Sequence, residues 1–326
     1  MNRAVNNAPS LTPVTGPGVW RRDGLSEADW RFSFDAASRR ELRDVASILA
    51  TNPLDVRLLN GNDYPLDATR AFAKTVTDAL TLGSGLCLLS GLPIDDVDDD
   101  IATKLYWLVS QMLARPVAQS FDGRVLYDVR DTGQRIGTRT RGDLTRQELS
   151  WHTDYGFNYP PPIIGLLALR TGKAGGVSRV ASLLQAHNQL LSTRPDLLAR
   201  LYQPFHWNRQ GEHPEGAPVT HFYPIYERAD GEVRARFIKW LLYRGYELVG
   251  EPFDALGQEA LEALFDTLSE PANHLTFELE RGQIQFMNNF RLVHCRSEYD
   301  DYDDPALKRH LVRIFLRNEG RASYMG

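Results

Sequence analysis

The sequence is poor in cysteine, in long apolar runs and in excess basic charge, and each shortage excludes a class of protein. Its 326 residues include two cysteines, Cys87 and Cys295, which are too few for a disulfide framework or a cysteine-rich metal site. No stretch approaches the roughly 20 apolar residues of a membrane span, and the polar segment 1–10 lacks the core of a signal peptide. The expected location is therefore the cytoplasm.

The charge balance argues against two kinds of partner. The formal net charge is -5 and the isoelectric point is about 5.9. The chain therefore has no overall basic surface for binding nucleic acid or an anionic membrane. Hydrophobic residues make up 42% of the chain and charged residues 24%, which is close to the globular average. These values fit an ordinary folded protein and leave its oligomeric state open.

Turn-forming residues and hydrophobic periodicity divide the chain into an arm and one large domain. Residues 1–18 end in a run rich in proline and glycine, which predicts a mobile N-terminal arm before a single domain over 19–326. Helical patterns come first in that domain and short strands follow, including one expected over 234–243. This order favours an α+β fold with a closed or double-sheet β core and helices packed outside. The segment around 120–150 is expected to be a lid-like insertion.

His152 and Asp154 are candidates for part of a metal site. On a strand, residues i and i+2 point to the same face, so this imidazole and this carboxylate can converge on one point. His294, which follows a strand pattern at 283–287, could supply a third ligand. Two histidines and one carboxylate with open coordination positions is the ligand set of non-haem Fe(II) oxygenases. A structural reading stays open, since His-x-Asp pairs arise by chance and His294 could be a core histidine.

Two arginines near the C terminus predict an anion-binding cavity. Arg309 and Arg313 are four residues apart on a strand-like segment, so both side chains can face the same side. Guanidinium groups on an otherwise apolar strand are costly to bury without partners. An anionic ligand would be such a partner.

Taken together, these motifs resemble those of one enzyme family. Four motifs follow in order: Trp151-His152-Thr153-Asp154, Gly175-Gly176-Val177-Ser178, Asn288-Asn289-x4-His294 and Lys308-Arg309-His310-Leu311-Val312-Arg313. They are similar to motifs of the Fe(II)- and 2-oxoglutarate-dependent dioxygenases of the taurine dioxygenase and clavaminate synthase group. The resemblance runs from about residue 19 to residue 317. It implies a double-stranded β-helix, or jelly roll, with flanking helices.

The resemblance also implies a metal site and a binding site for the co-substrate. His152, Asp154 and His294 would bind Fe(II), and Arg309 would bind the C5 carboxylate of 2-oxoglutarate. Ser178 stands where many relatives use threonine to hold that carboxylate.

Substrate contacts follow from the same resemblance. Arg313 would bind an anionic group of the substrate, although a long acidic loop before Arg309 leaves an exchange of roles between the two arginines open. Glu148 and Arg130 lie where relatives place substrate contacts and lids.

The implied activity is hydroxylation, or else desaturation, of a small molecule that bears an anionic group. The resemblance implies that O2 is consumed and that 2-oxoglutarate is decarboxylated to succinate and CO2, in natural-product metabolism. Relatives that halogenate carry a small residue in place of Asp154, so its carboxylate argues against halogenation. Two alternatives stay open: a non-catalytic jelly-roll binding protein, and a zinc hydrolase that uses the same three ligands but leaves Arg309 and Arg313 unexplained.

Overall fold

The computed structural model describes residues 12–133 and 144–324 and has a mixed α/β fold. These ranges contain seven α-helices: α1 (Ala36–Thr51), α2 (Asp67–Thr81), α3 (Asp99–Leu113), α4 (Leu183–Thr193), α5 (Pro195–Leu201), α6 (Lys239–Val249) and α7 (Ala255–Ser269). The strands are β1 (Arg31–Ser33), β2 (Leu86–Ser90), β3 (Pro116–Val117), β4 (Leu126–Val129), β5 (Leu149–His152), β6 (Ile163–Arg170), β7 (Ala174–Gly175), β8 (Ser178–Ser182), β9 (Phe205–Asn208), β10 (Thr220–Tyr223), β11 (Tyr226–Ala229), β12 (Glu232–Ala235), β13 (His274–Phe277), β14 (Ile284–Asn288), β15 (Leu292–Arg296), β16 (Tyr299–Asp300) and β17 (His310–Leu316). Among the described residues, no helix is both long enough and apolar enough to cross a membrane.

The larger sheet has seven strands and forms one wall of the site. Its order is β1-β2-β14-β6-β17-β3, and β4 pairs with β17 beside β3. Gln285, Leu166 and Arg313 are cross-strand partners on β14, β6 and β17, so their side chains point to the same face. That face lines the cavity described below.

The smaller sheet, with the order β13-β8-β15-β5, forms the opposite wall. Ser178 on β8 lies opposite Arg296 on β15, and two pairs further along His294 lies between Val180 and His152. Residues of both sheets line a single cavity, so the two sheets face each other there. The register of β5, β15 and β8 therefore determines which side chains meet inside.

Helices α1, α2 and α3 cover the outer face of the larger sheet. One apolar cluster joins Leu42, Val76 and Leu105 from these helices to sheet residues such as Leu167 and Ile314. Side-chain caps begin several helices: Asp35 accepts a hydrogen bond from the Ser38 amide, Asp98 from Ile101, Ser182 from Gln185 and Asp254 from Gly257. A capped start satisfies amides that have no partner within the helix.

The expectation of a strand over residues 234–243 is wrong. Strand β12 ends at Ala235, and α6 begins at Lys239. The run of aromatic and branched residues reads as a strand, but Leu241, Leu242, Gly245 and Tyr246 are the buried positions of α6, which is helical spacing. Gly245 allows α6 to lie against β9, since a Cβ at this position would stand 1.9 Å from the His206 carbonyl oxygen.

The predicted arm and the predicted lid lie partly outside the described residues. Residues 1–11 and 134–143 are outside them. Within the arm, the Val14 amide and carbonyl exchange hydrogen bonds of 2.8 Å with the Asn188 side chain on α4. Within the segment around 120–150, β4 pairs with β17 and β5 pairs with β15, so its described ends belong to the two sheets.

Candidate metal centre

The pairing of β5 with β15 brings His152 and His294 together. The two residues are direct cross-strand partners, and their ring centroids lie 4.1 Å apart. His152 Nδ1 lies 2.8 Å from the Ser150 carbonyl oxygen. Because a carbonyl can only accept a hydrogen bond, Nδ1 carries the proton and the lone pair is on Nε2. This tautomer suits metal binding through Nε2.

Asp154 completes a group of three potential ligands. Ligand atoms of His152, Asp154 and His294 all lie within 4.8 Å of one another, and His152 Nε2 is 3.8 Å from Asp154 Oδ1. Asp154 is 4% exposed and His294 is 8% exposed. Burial above all, with help from His152 and Arg313, holds the pKa of His294 well below its usual range. Its imidazole is therefore neutral, which is the form that binds a metal.

Two buried atoms of this group have no hydrogen-bond partner among the described residues. They are Asp154 Oδ2 and His294 Nδ1. A buried polar atom without a partner is costly, and most such atoms in native proteins have an explanation such as a bound ion or water. The residues therefore fit a divalent metal with two nitrogen ligands and one oxygen ligand, and the set is typical of iron.

The backbone of Asp154 is held by the side chain of Asn289. Asn289 Oδ1 accepts from the Asp154 amide at 2.8 Å, and Asn289 Nδ2 donates to the Asp154 carbonyl at 2.8 Å and to the Pro161 carbonyl at 3.0 Å. Asn289 is 1% exposed. Tyr155, the next residue after Asp154, has a φ of 59°, a left-handed conformation that is uncommon outside glycine. The Asn289 bonds fix the turn that aims the Asp154 carboxylate at the two histidines.

Arg309 and Ser178 line the same cavity as the three potential ligands. Arg309 is 5% exposed, stacks on the Tyr299 ring at 4.9 Å, and has no described hydrogen-bond partner for Nη1. Burial, followed by the nearby Arg296, lowers the pKa of Arg309 to about 10, so the guanidinium is still charged at neutral pH. A buried cation with an unpaired N–H, in the same cavity as a serine hydroxyl, suits a carboxylate ligand.

The contacts of Arg313 differ from those of Arg309. Its Nη1 lies 3.2 Å from Asp154 Oδ1, and its Nε donates to Gln119 Oε1 at 3.0 Å. Both arginines predicted to face one cavity thus line it, but Arg313 contacts the metal-site carboxylate whereas Arg309 lies beside Tyr299.

The structure places Glu148 and Arg130 differently from the other candidates. Both are exposed, and neither is among the residues that line the cavity. They lie on opposite sides of the segment 134–143 in the sequence.

Three cavity or support residues were not identified from the sequence: Gln119, Asn289 as a partner of Asp154, and Arg296. Of these, Arg296 could have been identified from the sequence, because it lies two residues after His294 on β15 and so points to the same face of the strand. Arg296 also donates to the carbonyl oxygens of Thr145 and Gln147 and thereby holds the chain before β5. Gln119 and Asn289 act over 194 and 135 residues of sequence separation, where periodicity gives no signal.

Two histidines and one carboxylate between facing sheets, beside a buried arginine, define the class of mononuclear non-haem iron oxygenases. Comparison with known proteins agrees. The sequence model described as "Taurine catabolism dioxygenase TauD, TfdA family" matches residues 54–315. The chain belongs to this family. It is a 2-oxoglutarate-dependent non-haem iron dioxygenase that uses Fe(II), 2-oxoglutarate and O2, as the sequence motifs predicted.

Individual relatives span several activities. The chain is 30% identical to FR-33289 synthase of Streptomyces rubellomurinus over 313 residues, covering 94% of this chain and 91% of the relative. It is 28% identical to uridine-5'-phosphate dioxygenase of an Amycolatopsis species over 159 residues, covering 48% of this chain and 56% of the relative.

Solved structures share the fold at lower identity. An asparagine oxygenase in complex with Fe(II), 3-hydroxyasparagine and succinate matches with a TM-score of 0.65 at 20% identity, covering 88% of this chain and 93% of that one. The non-haem iron oxygenase OrfP in complex with iron, succinate and (3S)-hydroxy-L-arginine matches with a TM-score of 0.65 at 16% identity, covering 89% and 94%.

Proposed function

We propose that this protein hydroxylates a small natural-product precursor that bears an anionic group, with His152, Asp154 and His294 as the iron ligands. The observation that carries the proposal is one cavity lined by these three side chains and Arg309, with unpartnered buried atoms on Asp154, His294 and Arg309. The two facing sheets would form a double-stranded β-helix, and residues 19–326 a single domain. Desaturation is the alternative outcome of the same chemistry.

Arg309 is the proposed anchor of the co-substrate. Its Nη1 needs an acceptor, and Ser178 supplies a hydroxyl in the same cavity. The C5 carboxylate of 2-oxoglutarate would accept from both groups. Arg313 is already bonded to Asp154 and Gln119, which favours Arg309 for this role. Bound iron supplies the centre at which O2 is reduced while 2-oxoglutarate is decarboxylated to succinate and CO2.

The remaining positive charge in the cavity supports an anionic substrate. Arg296, Arg309 and Arg313 line it, and Asp154 is the one carboxylate among its described lining residues. Buried cations need counter-charges, and 2-oxoglutarate would supply those at Arg309. Arg313 would then orient the anionic group of the substrate. Relatives named for a nucleoside phosphate or solved with amino-acid products act on molecules that carry such a group.

Substrate-coupled succinate formation tests this function. Purified protein with Fe(II), ascorbate, O2 and 2-oxoglutarate would be given a panel of organic acids, amino acids and phosphate esters, with neutral amides of the same skeletons as matched controls. We expect succinate to rise above the substrate-free rate with anionic members and not with their neutral counterparts. Equal rates with charged and neutral partners would contradict the anionic-substrate proposal. Absence of succinate with every member would contradict the assigned activity.

A further inference from the structure

Gln119 forms hydrogen bonds to both the side chain and the backbone of Arg313. Its Oε1 accepts from Arg313 Nε at 3.0 Å, while its Nε2 donates to the Arg313 carbonyl at 2.8 Å and to the Val125 carbonyl at 2.9 Å. Gln119 lies between β3 and β4, both of which pair with β17, and it is 1% exposed. A buried amide whose oxygen and nitrogen both bond to one arginine determines how that arginine is oriented.

The orientation of Arg313 decides how many oxygens of Asp154 remain for a metal. Arginine and carboxylate groups tend to form a fork in which two N–H groups meet both oxygens. Here Arg313 Nη1 meets Asp154 Oδ1 at 3.2 Å, and Oδ2 has no hydrogen-bond partner among the described residues. The pair is therefore not a fork, although both side chains are buried and 10% or less exposed.

Gln119 prevents the side-on fork, in which Nε and Nη2 would meet the two oxygens of Asp154. By accepting from Nε, it occupies one donor of that edge and holds the guanidinium with Nη1 toward Asp154 Oδ1. The rings of Tyr127 and Phe315 lie 4.8 and 4.9 Å from the same guanidinium and pack against it as well. Without the Nε bond, the guanidinium could turn between these rings and donate hydrogen bonds to both oxygens of Asp154.

We propose that Gln119 is a positioning residue that keeps Arg313 from bonding to both oxygens of Asp154 and so leaves the carboxylate available to the metal. The inference rests on the proposed function, because it takes Asp154 as an iron ligand. Loss of the Gln119 amide should weaken Fe(II) binding through Arg313 and not through unfolding.

Anaerobic Fe(II) titration of a double-mutant cycle tests this. Gln119→Met keeps the size of the side chain and removes both hydrogen-bonding groups, and we expect it to weaken Fe(II) binding by about 10- to 100-fold, the usual effect of losing support for a metal ligand. Gln119→Glu keeps an acceptor for Arg313 Nε and should retain affinity close to that of the parent. In an Arg313→Met background, adding Gln119→Met should produce no further loss, because no guanidinium remains to form the fork.

Gln111→Met is the matched control, since Gln111 accepts from the Gly61 amide and donates to the Leu59 carbonyl far from the metal centre. It should lower the melting temperature without changing Fe(II) affinity. If Gln119→Met does not fold, Gln119→Asn, whose amide is too short to reach Nε, should show the same loss. Additive effects in the cycle, or parent-like affinity of Gln119→Met, would overturn the inference alone. A parent that binds no Fe(II) would overturn the proposed function and the inference with it.

Discussion

Replacing Asn289 by alanine should weaken iron binding much more than replacing its neighbour Asn288. Asn289→Ala removes three buried hydrogen bonds, two of them to the backbone of Asp154. Each buried group left without a partner costs about 1–3 kcal/mol. Loss of these bonds should lower the stability of the protein and should also leave the Asp154 carboxylate less well positioned. Loss of support for a metal ligand typically reduces metal affinity about 10- to 100-fold, or roughly 1.4–2.8 kcal/mol.

Asn288→Ala provides the control within the same turn. Asn288 Nδ2 donates to the Leu80 carbonyl at 3.2 Å, and Asn288 Oδ1 accepts from the Phe290 amide at 3.1 Å, so it supports the turn without bonding to Asp154. Both variants should lower the melting temperature of the metal-free protein, whereas anaerobic Fe(II) titration should separate them. Equal Fe(II) affinities for the two variants would refute the role assigned to Asn289.

Two further perturbations examine the co-substrate site and the charge state of a buried histidine. Arg309→Ala should raise the 2-oxoglutarate concentration needed for half-maximal succinate formation by about 10- to 100-fold, since a charge-assisted hydrogen bond contributes about 1.5–3 kcal/mol, and Arg309→Lys should lose less. Unchanged kinetics after Arg309→Ala would contradict the role of Arg309 as the anchor of the co-substrate. Burial, followed by Arg209, lowers the pKa of His221 to about 4 from an ordinary value of 6.5, so the unfolded chain binds the extra proton between these values. The contribution of neutral His221 to the free energy of unfolding is therefore complete above pH 6.5 and is lost as the pH falls towards 4. Urea unfolding should show that the free energy of unfolding of His221→Gln depends less on pH over that window than that of the parent. The same pH dependence in both proteins would contradict the assigned pKa.

The sequence predicted the three potential metal ligands from short motifs and from the resemblance of those motifs to one family, although β5 ends at His152 and Asp154 lies in the turn after the strand. His152 and Asp154 are two residues apart, and His294 and Arg309 belong to short motifs with a fixed order. Cross-strand register pairs His152 with His294, and the facing of the two sheets places Arg309 in the same cavity.

Long-range support could not be predicted in the same way. Gln119 and Asn289 matter because their amides meet groups far away in the sequence, and amides occur at too many surface positions for composition to single them out. Residues 239–243 were assigned to the wrong element because Trp240 and Tyr243 favour strands locally. Packing of α6 on β9 overrides that preference.

The central claim is that His152, Asp154 and His294 hold one Fe(II) ion beside an Arg309-bound 2-oxoglutarate. Its most direct test is an anaerobic titration of the metal-free protein with Fe(II) in the presence of 2-oxoglutarate, followed by visible absorption. We expect a metal-to-ligand charge-transfer band that saturates at one Fe(II) per chain, is abolished by His294→Ala, and requires much more 2-oxoglutarate in Arg309→Ala. A parent protein without the band, or a band that persists at full strength in His294→Ala, would contradict it.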